Sequence, residues 1–154
     1  MKMLIIPFAL LLQFLLAENI HAQQWTPEQN EVWATVEAAW QADKDGKNWV
    51  EEYCHPDCLA WDFINPMPRN KSNANKWFNA YKPISKILEY QISPVGIVVK
   101  DKIAVVHYYA RVLDESYEGK KEKEISRWTD ILIKEGDKWL YISWQGGPTN
   151  PTGD

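Results

Sequence analysis

The chain is poor in cysteine, has no run of basic residues, and carries no long apolar stretch beyond its first two dozen positions. Its two cysteines sit in one pentapeptide, Cys54-His55-Pro56-Asp57-Cys58. That excludes a disulfide-dense scaffold and a closed zinc site, which takes spaced ligand pairs from two segments. A spacing of three residues between the cysteines also differs from the two of a thioredoxin-type motif. A formal net charge of −4 without a basic cluster argues against nucleic acid or an anionic membrane as partner. The sequence holds no glycine-rich phosphate loop, dinucleotide fingerprint or serine nucleophile elbow. No motif calls for a cofactor or a metal.

What is present begins with MKMLIIPFALLLQFLLAENIHAQQ. Lys2 precedes an apolar run from Leu4 to Ala17, and Ala22 ends a small-residue cleavage motif. The run is short for a bilayer span and fits a secretory signal, so residues 1–22 are expected to direct export and then leave the protein. The remainder is one domain's worth of chain, residues 23–146, followed by a polar tail over 147–154. Nine tryptophans supply large rigid aromatic surfaces, suited equally to stability and to a ligand pocket.

Thr26-Pro27-Glu28-Gln29 reads as a capped helix start, and Val32, Trp33, Val36, Ala39 and Trp40 continue at helical spacing as far as Gly46. Asn48 with Glu51 opens a second, short helix that must stop near Pro56. Leu59, Trp61 and Phe63 alternate as a short strand, and a third helix carries Trp77, Phe78 and Tyr81. Four long β-prone runs follow, Ile87 to Val99, Ile103 to Ser116, Glu122 to Lys134 and Lys138 to Gln145, separated by turn residues. Three helices and then a meander predict an α+β domain. The helices would pack on one face of a strongly bent antiparallel sheet, leaving a cone with a pocket.

This order of elements, and above all the final hairpin SRWTDILIKEGDKWLYISWQGG, resembles the nuclear transport factor 2-like superfamily in its SnoaL-like and ketosteroid isomerase-like branches. The resemblance spans nearly all of the chain after the leader. It implies a cystatin-like α+β barrel whose cone binds a small molecule, and a sheet-to-sheet homodimer. The superfamily hosts isomerases, dehydratases, epoxide hydrolases and noncatalytic binding or assembly domains, so the fold alone does not select among them. In ketosteroid isomerases the general base is an Asp on the first short strand, seven residues before the Arg of a Pro-Arg pair. Asp62, ahead of Pro68-Arg69, occupies that place. The tyrosine that donates to the oxyanion in those enzymes is missing, for Ala38 and Ala39 stand on the corresponding turn.

Strand alternation divides the meander into two faces. One gathers His107, Tyr109, Arg111, Arg127, Thr129, Tyr141, Ser143 and Gln145; the other gathers Tyr108, Val112, Trp128, Asp130, Leu132, Leu140, Ile142 and Trp144. The first, aromatic with a few convergent polar groups, is expected to line the cone. Trp61, Tyr109, Arg127, Tyr141 and Gln145 are then candidate ligand contacts, Asp62 the base and His107 a second catalytic group. Arg127 would face an anionic ligand group or an internal carboxylate from Glu89, Asp130 or Asp62. The tryptophan-rich face is assigned to the dimer contact. Two classes of function stand side by side: an exported domain binding a small, partly apolar molecule, and a cofactor-free acid–base enzyme on the same cone. A third is an assembly module that docks a partner protein. For Cys54 and Cys58 the expectation in an exported protein is a short-loop disulfide, with two buried thiols as the alternative.

Overall fold

Thr26 caps the first helix, α1 (Pro27–Lys44): its hydroxyl accepts from the Gln29 amide, and the Gln29 side chain reaches back to the Thr26 amide at 2.7 Å. This reciprocal box satisfies two of the orphan donors at the helix start, where Pro27 has no N–H to leave unpaired. Gly46, at φ 74°, takes the left-handed conformation that ends α1, and Lys47 N–H closes back onto the Ala42 carbonyl. Asn48 then caps α2 (Trp49–Tyr53) by accepting from the Val50 and Glu51 amides. The computed structural model describes residues 24–62 and 65–149. The export signal expected over residues 1–22 and the end of the tail, residues 150–154, lie outside the described residues.

The chain continues through β1 (Leu59–Asp62), β2 (Arg69–Asn70) and α3 (Lys71–Tyr81) into four long strands. These are β3 (Ser85–Lys100), β4 (Ile103–Ser116), β5 (Lys121–Glu135) and β6 (Lys138–Pro148). The six strands form one sheet in the order β2-β1-β6-β5-β4-β3. The meander is antiparallel as expected, but β1 runs parallel to β6, pairing Trp61 with Gln145 and Asp62 with Gly146. The sheet is therefore mixed. The Cys54–Cys58 turn explains the direction: His55 N–H donates to the Tyr141 carbonyl, tying the end of α2 to β6 just before β1 sets off alongside it. β6 also passes Gln145, its expected end, and reaches Pro148.

Register shifts at Ile87/Glu89 and Pro94/Gly96 in β3, and at Ile131/Leu132 opposite β6, mark bulges. Each extra residue bends its strand, and together they curl the sheet around α1. Val32, Val36 and Ala39 of α1 join Ala104, Val106, Ala110 and Leu132 of the sheet in one core, all at most 3 % exposed. Small side chains on both surfaces let helix and sheet approach closely. Fully burying each valine or leucine contributes about 1.5–3 kcal/mol.

Candidate ligand cavity

The concave side of the sheet and the three helices enclose a cavity of about 250 Å³. Its walls are aromatic: Trp40 from α1, Trp49 from α2, Trp77 and Tyr81 from α3, Trp128 from β5 and Trp144 from β6. Trp49 stands edge-on to Trp144 at 5.2 Å and to Tyr141 at 5.6 Å, while Trp77 stacks on Tyr81 at 4.6 Å by the opening. Trp128 can lie flat across the sheet because its neighbour on β6 is Gly146. A Cβ at that position would come within 2.4 Å of the indole.

At the inner end lies Asp130, 1 % exposed. Its carboxyl group accepts hydrogen bonds from the hydroxyls of Tyr108 and Tyr141, and Trp40 Nε1–H donates in turn to the Tyr108 oxygen at 3.0 Å. Oδ2 of Asp130 is buried without a partner. Burial raises Asp130 to about 7, against the lowering effect of the two tyrosine hydrogen bonds. The same burial, with the charge of Asp130 nearby, lifts Tyr108 and Tyr141 well above the ordinary phenol range. The result is a dry acid–base group that changes charge near neutrality.

The outer part of the cavity is acidic. Asp114 of β4 and Glu124 of β5 share it with Asp43 of α1. Lys82 pairs with the Asp43 carboxylate at 2.7 Å and also with its carbonyl oxygen. Desolvation, followed by repulsion from Glu124 and Asp43, carries Asp114 to about 6. Partial burial raises Glu124 as well. Among the described residues, no group of three or more His, Cys, Asp or Glu could hold a metal ion, and no helix is long and apolar enough to cross a membrane.

The two faces of the meander are exchanged relative to expectation. The register between β4 and β5 is the expected one, with His107 opposite Thr129 and Tyr109 opposite Arg127. However, the helices cover the face holding Tyr108, Val112, Trp128, Asp130 and Trp144. The tryptophan-rich face is the inside of the cone and is not open to a partner. His107, Tyr109, Arg127 and Gln145 point away from the cone and meet Trp61 in a second, open hollow of about 600 Å³ on the convex side. There His107 Nδ1 lies 2.9 Å from the Thr129 hydroxyl, and Tyr109 is 47 % exposed. Arg127 and Asp130 stand on opposite faces, so Asp130 is not its partner. Alternation told the two faces apart, but aromatic residues on both hid which one the helices would cover.

Tyr141 reaches the cone, but by another route. β6 carries an extra residue, Ile142, because Leu132 pairs with Tyr141 while Ile131 pairs with Ser143. Before the bulge Trp139 and Tyr141 face inward, and after it Trp144 does. The backbone of Asp62 is placed, paired with Gly146, but its side chain lies outside the described residues. The residues that sequence reasoning missed as a site are Asp130 and Tyr108. The available signal was a lone carboxylate between Trp128 and Leu132 on an otherwise apolar face.

Cys54 and Cys58 are free, buried thiols and not the expected disulfide. The end of α2 and the residue just before β1 hold the two thiols close enough to influence each other. The contact with Cys54, helped by the Lys71 ammonium, lowers Cys58, while the same contact and burial push Cys54 up. Lys71 Nζ binds the Cys54 and Glu51 carbonyls, fixing the stretch to α3.

No protein-family model matches the chain, and no curated protein does. Solved structures do match. A ketosteroid isomerase-like protein from Erwinia carotovora atroseptica superimposes with a TM-score of 0.72 at 12 % identity, over 82 % of this chain and all of that one. A candidate dehydratase of the nuclear transport factor 2-like family from Streptomyces avermitilis gives 0.67 at 13 % identity, over 78 % and 95 %. A candidate calcium/calmodulin-dependent protein kinase II association domain from Xanthomonas campestris gives 0.63 at 19 % identity, over 79 % and 88 %. The chain has the nuclear transport factor 2-like fold, the one its final hairpin resembled. Identities this low establish the fold alone, and these three neighbours carry three different kinds of description.

Proposed function

We propose that this protein binds a small, largely apolar molecule in the aromatic cone, with Asp130, Tyr108 and Tyr141 as the polar anchor. One observation carries the reading: a carboxylate oxygen buried without a partner in the wall of an aromatic cavity of about 250 Å³. A buried acceptor left unsatisfied costs about 1–3 kcal/mol, which a ligand donor placed there would recover. The chain is further proposed to be exported, on the strength of the Leu4 to Ala17 run, and to dimerise through its convex face. Trp61, Val95, Tyr109 and Ile125 are exposed on that face. The binding reading is tested by native mass spectrometry, before and after denaturation, of protein purified from its source. A small mass that is lost on unfolding is expected. Protein that carries none, and whose tryptophan fluorescence is unmoved by any member of a small-molecule library, would overturn the reading.

Acid–base catalysis is a second reading, favoured by a buried carboxyl group that titrates near 7. Asp62, in register with the Gly146 on which Trp128 rests, is the partner base in that case. Asp62→Asn should then abolish turnover and leave affinity nearly unchanged. Equal loss of both would remove Asp62 from the chemistry.

A further inference from the structure

The cone is unbalanced in charge, and the imbalance speaks to the ligand. Six ionisable carboxyl and basic side chains line it: Asp43, Asp114, Glu124 and Asp130 against Arg69 and Lys82. Lys82 is already committed to Asp43. Among the described residues no ion pair reaches Asp114, Glu124 or Asp130. The aromatic walls already accept cations on their faces, with the Arg69 guanidinium 4.6 Å from the Trp77 ring centre and the Lys82 ammonium 5.5 Å from that of Phe78.

From this geometry we infer that the ligand is a protonated amine with an apolar, ring-sized body. The inference rests on the binding reading given above. The ammonium N–H donates to Asp130 Oδ2, the body lies among Trp49, Trp128 and Trp144, and Asp114 with Glu124 draws the charge in from solvent. An amine meets three conditions at once that an alcohol or a carboxylate does not. It supplies the missing donor, its charge is matched by the carboxylates, and its cationic carbons are attracted to the π faces. An anionic ligand, one option in the sequence reading, would meet three carboxylates of its own sign. Crowded and desolvated, Asp114 and Asp130 both sit above their ordinary range, a strain that a bound cation relieves.

Three probes of similar size test the inference: 2-phenylethylamine, 2-phenylethanol and phenylacetate, titrated calorimetrically into the full exported chain at pH 7.5. The amine should bind about 10- to 100-fold more tightly than the alcohol, and phenylacetate more weakly than both. In Asp130→Asn the preference for amine over alcohol should shrink to about threefold or less, because the charge is gone while a hydrogen-bonding oxygen remains. The double variant Asp114→Asn/Glu124→Gln should lower the association rate of the amine and reduce its dependence on salt. The double variant keeps the test independent of the Asp130 variant's folding. Alcohol binding as tightly as amine in the wild type would overturn the amine assignment and leave the binding cone intact. Binding of none of the three would remove the amine assignment, and with an unresponsive library would remove the cone as well.

Discussion

The two faces of β4 and β5 are made of alternate residues of the same strands, and they live under different physics. On the concave face Ala104, Val106, Tyr108, Leu132 and Asp130 are at most 4 % exposed, packed against helices and each other. On the convex face Tyr109, His107 and Arg127 stand in water around an open hollow, with Ile125 exposed beyond it. Both faces hold aromatic and polar groups. The difference lies in cost: one carboxylate inside the cone is pushed to about 7, whereas the polar groups outside keep solvent as a partner. A polar residue therefore carries more functional weight on the face where it is least welcome.

The contrast can be broken in several ways. The largest effect is expected from Leu132→Ala, which empties a fully buried position and should cost about 2–5 kcal/mol in urea unfolding. Ile125→Ala on the same strand, 49 % exposed, should stay within about 0.5 kcal/mol. Equal losses would show that the two faces are not so distinct. Gly146→Ala should destabilise by about 1–3 kcal/mol with a shift in tryptophan emission, because the added methyl meets the Trp128 ring.

Asp130→Asn should stabilise the protein above pH 7, by up to about 4 kcal/mol if the whole shift is recovered. The sign follows from proton binding. Below the ordinary carboxylate range both folded and unfolded states are protonated and there is no penalty. Between that range and 7 only the folded state keeps the proton, so stability falls as pH rises, and above 7 the penalty is constant. Wild type and variant should thus melt together near pH 4 and diverge toward pH 8. A gap that is constant with pH would show that Asp130 titrates normally. The smallest effect on folding is expected from Tyr109→Glu, which should leave the monomer's stability within about 0.5 kcal/mol. Under the dimer proposal it should halve the mass seen by light scattering, and an unchanged mass would move the dimer contact elsewhere.

The elements and their order were legible because their signals are local. The Thr26 box, the Asn48 cap, the Asp101 and Gly136 turns and the β4–β5 register each follow from a few neighbouring residues. The site was less so, because it depends on which side of the sheet the helices settle. Ala104 and Ala110 were the available clue, since small residues at even spacing along a strand share the face where a helix can press close, yet His107 and Tyr109 pointed to the other face. Tyr141 shows the other obstacle. A bulge in β6 reverses alternation in mid-strand, and nothing in Tyr141-Ile142-Ser143 announces it. The parallel course of β1 was hidden for a similar reason, being set by the long-range tie from His55 to Tyr141.

The extra residue in β6 has a consequence for how such a cone can change over generations. Substitutions along this strand tune the cavity by degrees, whereas pairing the same residues without the bulge at Ile142 would turn Trp144 out toward water while Trp139 and Tyr141 stayed inside. The cavity would lose one of its indole walls in a single event. The pairing of β6 is thus more tightly constrained than the identity of its residues, and descendants of this chain can vary the lining of the cone far more freely than the register of the strand that carries it.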